Sequence, residues 1–286
     1  MKIIDIIKAN RPSLSFEVFP PKTSDKYESV ASAVSEIAKL SPSYMSVTYG
    51  AGGGTSKYTA QIARDLTYLG VTSLAHLTCI SSSKNEVKAQ LAMLKELGIE
   101  NILALRGDIP EGIECKNLDF TYAYQLIDII KNEGGFCIGG ACYPECHPES
   151  ESVEKDIYYL RNKVEHGCDF LTTQMFFDNE IFYRFAERLS KNNINVPIVA
   201  GIMPITSPIQ VEKMIKISGS ALPDKLVKLI DKYEHDAPSF KAAGIEYASM
   251  QARDIFDHNF VAVHIYSMNK PDVAQMIKNN LKDILE

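Results

Sequence analysis

A parallel (β/α)₈ barrel, the TIM-barrel class of α/β folds, is what this sequence predicts, on three observations. Apolar strand-like runs alternate with segments of helical period about eight times, and parallel pairing follows because each crossover returns the chain to the same end of the sheet. The units fit within 286 residues, close to the size typical of this barrel. No linker or low-complexity segment divides the chain, so a single catalytic barrel domain over residues 1–286 is expected. An open doubly wound sheet is the alternative arrangement of the same elements.

The first strand lies in Leu14-Ser15-Phe16-Glu17-Val18-Phe19-Pro20-Pro21, closed by two prolines that cannot continue a ladder. Alternation sets Leu14, Phe16 and Val18 on one face and Ser15, Glu17 and Phe19 on the other. A helix follows over Asp25 to Leu40, then a strand from Tyr44 to Tyr49 and a helix from Ser56 to Leu69. The third unit is Ser73 to Cys79 with a helix from Lys84 to Leu97, which Gly98 suits as a left-handed cap. The fourth strand is Asn101 to Leu105, with a helix from about Thr121 to Lys131, and the fifth is Cys137 to Tyr143, with a helix from Val153 to His166. Phe170 to Phe177 and Glu180 to Ser190 form the sixth unit. The seventh strand, Pro197 to Met203, and the eighth, Phe260 to Tyr266, are separated by extra helices over Pro208–Ile217, Pro223–Tyr233 and Pro238–Asp257. A last helix runs from Pro271 to Leu285. In such a barrel the chemistry sits at the carboxyl ends of the strands, where Thr48, Cys79, Asp108, His147, Gln174 and Tyr266 fall.

Bulk properties narrow the function. A net charge of −6 without any Lys/Arg cluster argues against nucleic acid as the main partner and favours small ligands. The N-terminal Met1 to Lys8 is too short and too charged for a signal segment and no run reaches membrane-spanning length, so a cytoplasmic protein is expected. Its six cysteines, Cys79, Cys115, Cys137, Cys142, Cys146 and Cys168, form no CxxC pair and are expected to be reduced.

Glu17 is the residue that most needs explaining. Burial of a carboxylate without a cation favours its protonated form, a proton donor near neutral pH; the alternative is pairing with a Lys or Arg from elsewhere. Gly50-Ala51-Gly52-Gly53-Gly54-Thr55-Ser56-Lys57 matches neither phosphate-loop spacing and reads as a loop that lets ligand approach. Arg106-Gly107-Asp108 at a strand end offers a cation, a close backbone approach and a carboxylate, which suits a large polar cofactor; a surface ion pair is the alternative. Cys142, Cys146, His147, His76 and Cys79 lack the usual zinc spacing, and no metal is expected. His76 is either a satisfied core histidine or a ligand contact, and Gln174 either a structural amide or a reader of a heterocycle's amide edge.

Six stretches in order together resemble the methylenetetrahydrofolate reductase family: Ser15 to Pro21, Val47 to Gly50, Ala75 to Cys79, Ala104 to Asp108, Tyr143 to Glu149 and Thr173 to Asp178. The resemblance is to the short bacterial form without a C-terminal regulatory domain, and it implies an FAD-containing barrel that reduces 5,10-methylenetetrahydrofolate to 5-methyltetrahydrofolate. By position, Glu17 is then the general acid that protonates the folate, Asp108 a catalytic carboxylate beside flavin and pterin, and hydride passes from reduced FAD N5 to the methylene carbon. The resemblance places Thr48, Tyr49, His76, Leu105, Arg106, Gly107, Asp108, Tyr122, Ala123, Tyr143, His147, Asp156 and Lys163 at FAD, with Arg106 and Lys163 as the cations for its phosphates. It places Glu17, Asp108, Gln174, Gln210 and Lys270 at the folate. Met214 stands where relatives have a phenylalanine, while Lys270 and Asn162 stand where they have arginines. Electrons come from NADH or NADPH or from a partner subunit, in which case the chain is a flavin- and folate-binding subunit; an oligomer is expected.

Overall fold

The computed structural model describes residues 1–49, 56–109 and 118–286, without the side chains of Ser56 and Ile217. The glycine-rich loop through Thr55, Pro110 and Cys115 lie outside the described residues. Strand β1, Ser13–Val18, is buried along its whole length, as expected of a parallel strand covered on both faces. Its partners continue around the circle as β2 (Met45–Val47), β3 (Ser73–Thr78), β4 (Asn101–Leu105), β5 (Cys137–Cys142), β6 (Phe170–Thr173), β7 (Ile198–Ile202) and β8 (Ala262–Ile265). Every adjacent pair is parallel, and β8 returns to β1 with Ser15 opposite His264, closing the barrel.

Helices α2 (Tyr27–Ala38), α3 (Ser56–Tyr68), α4 (Lys84–Glu96), α5 (Ala123–Glu133), α6 (Val153–Glu165) and α7 (Asn179–Lys191) each connect one strand to the next. They start where the side chains allow it. Ser83 Oγ accepts from Glu86 N at 3.2 Å while Glu86 Oε2 accepts from Ser83 N at 2.7 Å, a capping box that stabilises α4 by about 1 kcal/mol. The extra helices are α8 (Pro208–Ser218), α9 (Asp224–Tyr233) and α10 (Ala237–Asp257). They bury their own cluster of Met175, Phe177, Met203, Ile205, Met214 and Phe240 beside the β6–β7 edge. The last segment breaks at Leu281 into α11 (Pro271–Asn280) and α12 (Lys282–Leu285).

An element that the sequence reading assigned no structure is α1, Ile3–Lys8. Its Ile3 and Ile7 pack with Tyr44, Leu74, Leu103, Cys137, Phe170, Val199 and Ala262, one inward side chain from nearly every strand, and so seal the amino-terminal end of the barrel. Asn101 fixes this stopper: its Oδ1 accepts from Ile3 N at 2.8 Å and its Nδ2 donates to Met1 O at 3.1 Å. Above that apolar layer, the inward positions of β1, β2, β3 and β8 change character. There Ser15, Glu17, Ser46, His76 and His264 are all buried.

Candidate active site

Glu17 occupies the last inward position of β1 at 8% exposure, and Ser46 stands opposite it on β2. Ser46 Oγ donates to Glu17 Oε2 at 3.3 Å. His76 Nε2 lies 3.5 Å from the same oxygen and His264 Nε2 lies 3.9 Å from it. Among the described residues the carboxylate thus meets neither Lys nor Arg; two imidazoles and a hydroxyl surround it. Burial pushes His76 down to about 4, outweighing the pull of Glu17, so its ring is neutral near pH 7. His76 Nε2 has no hydrogen-bond partner among the described residues.

The strand end that carries Glu17 is held by the β8 loop. Ser267 Oγ donates to Glu17 O at 2.7 Å, and Asn269 accepts from Phe19 N at 2.8 Å and donates to Phe19 O at 2.9 Å. Asn269 does this in the left-handed region, at φ 55°. Tyr266 reaches across the barrel mouth, its hydroxyl donating to Thr173 O at 2.5 Å. Gly201 makes that crossing possible, because a Cβ there would stand 2.4 Å from the Tyr266 hydroxyl.

On the opposite rim, Arg106 forks onto Glu149 at 2.6 and 2.8 Å, so its partner is Glu149 and not Asp108. The fork holds the Glu149 carboxyl below its usual range. Gly107 turns the chain at φ 87° and leaves Asp108 exposed. Tyr143 and His147 meet ring edge to face with centroids 4.4 Å apart, and burial lowers the His147 pKa. Asp156 behind them is buried and its pKa is raised by that burial against the pull of Lys163. Tyr122 stacks on Tyr159 at 4.8 Å and is partly exposed, while Ala123 begins α5.

The other expected contact residues have hydrogen-bond partners or packing within the protein. Lys163 Nζ donates to Ala141 O at 2.7 Å, behind β5. Tyr49 directs its hydroxyl to Gln90 on α4, accepting from Nε2 at 3.0 Å, and Thr48 O accepts from Thr59. Gln174 Oε1 turns back to Met175 N at 2.9 Å. Gln210 Oε1 accepts from Thr206 N and Oγ1, and its Nε2 donates to Pro204 O, so it serves the start of α8. Lys270 joins this group by donating to Thr206 Oγ1 at 2.7 Å. Leu105 is partly buried at the end of β4. Met214 is buried on α8 among apolar neighbours.

Sequence reading missed Ser46, His264, Ser267, Asn269, Thr206 and Glu149. For His264 a signal existed: alternation along β8 puts Ala262, His264 and Tyr266 on one face, and Tyr266 was already placed at a strand end. Among the described residues no group of three or more His, Cys, Asp or Glu could hold a metal ion, and no helix is long and apolar enough to cross a membrane.

Comparison with known proteins adds an independent line. The family model described as methylenetetrahydrofolate reductase matches residues 2–282. The 5,10-methylenetetrahydrofolate reductase of Pectobacterium carotovorum is 33% identical over 95% of this chain and 90% of its own length. That of Escherichia coli strain K12 is 31% identical over 94% and 90%. Methylenetetrahydrofolate reductase (NADH) 1 of Arabidopsis thaliana is 33% identical over 98% of this chain, which spans 51% of that protein's length. Among solved structures, a Clostridium thermocellum protein described as binding two copies of 5-methyl-5,6,7,8-tetrahydrofolic acid superposes at TM-score 0.69. It is 12% identical, covering 97% of this chain and 99% of that one, and supports the barrel fold alone.

Proposed function

The chain belongs to the methylenetetrahydrofolate reductase family, and on that premise we propose that it reduces 5,10-methylenetetrahydrofolate to 5-methyltetrahydrofolate with FAD as cofactor and Glu17 as general acid. The observation that carries the reading is the placement of one buried carboxylate at the open end of a sealed barrel, with no Lys or Arg among the described residues to hold it as an anion. Glu17 protonates the bridging amine of the folate, which opens the five-membered ring to a cationic iminium. Asp108, exposed at the rim, favours that cation. Gln174 and Lys270 bind polar parts of the folate, Lys270 as a point charge for its carboxylates. Gln210 contributes by holding Thr206 beside Lys270.

Residues at the rim fit the flavin cofactor. His76 Nε2 is a buried polar atom without a partner among the described residues, and the Tyr122–Tyr159 stack offers an aromatic platform. Arg106, Tyr122, Tyr143 and His147 are the residues we assign to hold it, with Lys163 stiffening β5 beneath. When bound, FAD supplies the two-electron chemistry that no side chain can. NADH is the donor we favour, with a partner protein as the other source of electrons.

The test is the visible spectrum of the purified chain followed by an assay for 5-methyltetrahydrofolate. Stoichiometric FAD and NADH-driven product are expected. An absence of FAD binding after reconstitution overturns the cofactor assignment. FAD with no NADH activity, restored by a partner fraction, moves the donor to the partner protein.

A further inference from the structure

On the outer wall of the barrel, α6 and α7 enclose a cleft of about 330 Å³. That volume falls at the lower end of the range for small-molecule sites, about 300–1,000 Å³. From α6 the lining residues 153, 157 and 161 recur every fourth position along one row of the helix, with 154 and 158 along the next. Val153 and Ile157 give that stripe an apolar back, as a helix of this ring requires, but it continues into Arg161 with Tyr158 beside it. From α7 the cleft receives a second arginine, Arg188.

The two guanidiniums are held differently. Asn192, just past the end of α7, joins them: its Oδ1 accepts from Arg161 Nη2 at 3.3 Å and its Nδ2 donates to Arg188 O at 2.9 Å. Arg161 Nη2 also donates to Asn192 O at 3.2 Å, so Arg161 caps the end of α7. The Arg188 guanidinium is half-buried and makes no hydrogen bond or ion pair among the described residues. Capping accounts for Arg161; it does not account for a second cation on the same cleft. Glu154 is the one carboxylate of the lining, and it makes no ion pair with either arginine. Its own backbone N–H and the Ser152 hydroxyl, with a smaller pull from Arg188, hold it below the usual carboxylate range at the start of α6. The lining therefore keeps one positive charge in excess.

Two like charges facing one cleft repel each other, and an anion between them turns that repulsion into attraction. Guanidiniums meet phosphate oxygens through paired, parallel hydrogen bonds. Tyr158 stands exposed on the same wall, its ring set by an edge contact with Tyr159 at 5.5 Å and by Lys155 Nζ at 5.9 Å. An aromatic ring beside two guanidiniums suits a phosphate that carries a flat ring of its own. We propose that this cleft binds a nucleoside monophosphate, with the phosphate between Arg161 and Arg188 and the base against Tyr158. The cleft lies outside the barrel mouth, and the proposal does not depend on the reaction assigned there.

The experiment is equilibrium dialysis of the full purified chain against labelled AMP and, separately, labelled inorganic phosphate, for wild type, Arg188→Gln, Arg161→Lys and Tyr158→Ala. One AMP per chain is expected, held about tenfold more tightly than phosphate and released as salt is raised. Arg188→Gln and Arg161→Lys should each weaken both ligands about tenfold. Tyr158→Ala should weaken AMP about tenfold and leave phosphate unchanged. Arg188→Gln removes no hydrogen bond of the protein, so it should unfold at the wild-type temperature, and binding lost in it is not a lost fold. Absence of AMP binding at millimolar concentration overturns the proposal. So does AMP binding that Arg188→Gln leaves unchanged, because that AMP sits elsewhere, the barrel mouth included. Equal affinity for AMP and phosphate, or no effect of Tyr158→Ala, overturns the nucleoside assignment.

Discussion

The Tyr266 hydroxyl donates to Thr173 O at 2.5 Å directly over Gly201, where an added Cβ would come within 2.4 Å of both oxygens. One of those oxygens is backbone of β6 and cannot swing away. Gly201→Ala therefore overpacks the barrel mouth and should destabilise the protein by about 1–3 kcal/mol. Thermal unfolding reads this as a fall of several degrees; an unchanged midpoint would show that Tyr266 has room to move.

Glu17→Gln keeps the shape of the side chain and removes its carboxyl group. The folate-dependent step should fall by about 10²- to 10⁴-fold, the range for a positioned general acid, while reduction of bound cofactor by the donor continues. Rapid mixing separates the two half-reactions. Equal loss in both would assign Glu17 a structural role.

His76 links pH to stability. Its folded pKa is near 4, and an unfolded histidine titrates near about 6.5, so between those values only the unfolded chain takes the proton. The contribution is complete above the unfolded value and is lost as pH falls toward the folded one. Between about pH 7.5 and about pH 5, wild type should lose about 2 kcal/mol more than His76→Asn. Urea unfolding of the pair at both pH values measures the difference, and parallel losses would refute it.

Asn269→Ala removes both hydrogen bonds that clamp Phe19 and places a Cβ-bearing residue without a compensating side chain at φ 55°. A loss of about 1–3 kcal/mol and a raised KM for folate are expected. Asn269→Gly relieves the backbone strain and leaves the clamp broken. Stability should then recover in part while KM stays high; full recovery of both would show that the clamp is irrelevant.

Periodicity and punctuation made the barrel legible. The eight strand cores, the helices between them and the extra helices before β8 all lie where apolar period and proline or glycine stops put them, with ends displaced by a few residues. Strand ends were overdrawn at Phe19 and at Gln174 to Phe177 because apolar runs continue into loops that pack against other helices. Helix α1 escaped because six residues hold too few turns to display a period. Glu17 was legible as an anomaly, a charge within a greasy strand. Its neighbours were not, since Ser46, His76 and His264 come from three strands: pairing of β1 with β2 sets Ser46 beside it, and closure of β8 on β1 brings in His264. Arg106 was legible as a rim cation, but its partner Glu149 lies on a loop whose position no local pattern sets.

The stopper formed by Ile3 and Ile7 makes the barrel a blind well. Its floor is apolar and its strands close the circle, so the carboxylate of Glu17 is approached from the mouth. Whatever trades protons with it must stand at the mouth, and two visitors that both need that spot must take turns. A molecule resting there also corks the well, cutting Glu17 off from bulk water for as long as it stays. Were Glu17 the acid proposed above, it would be recharged between occupants, and departure from the mouth would help to pace the cycle.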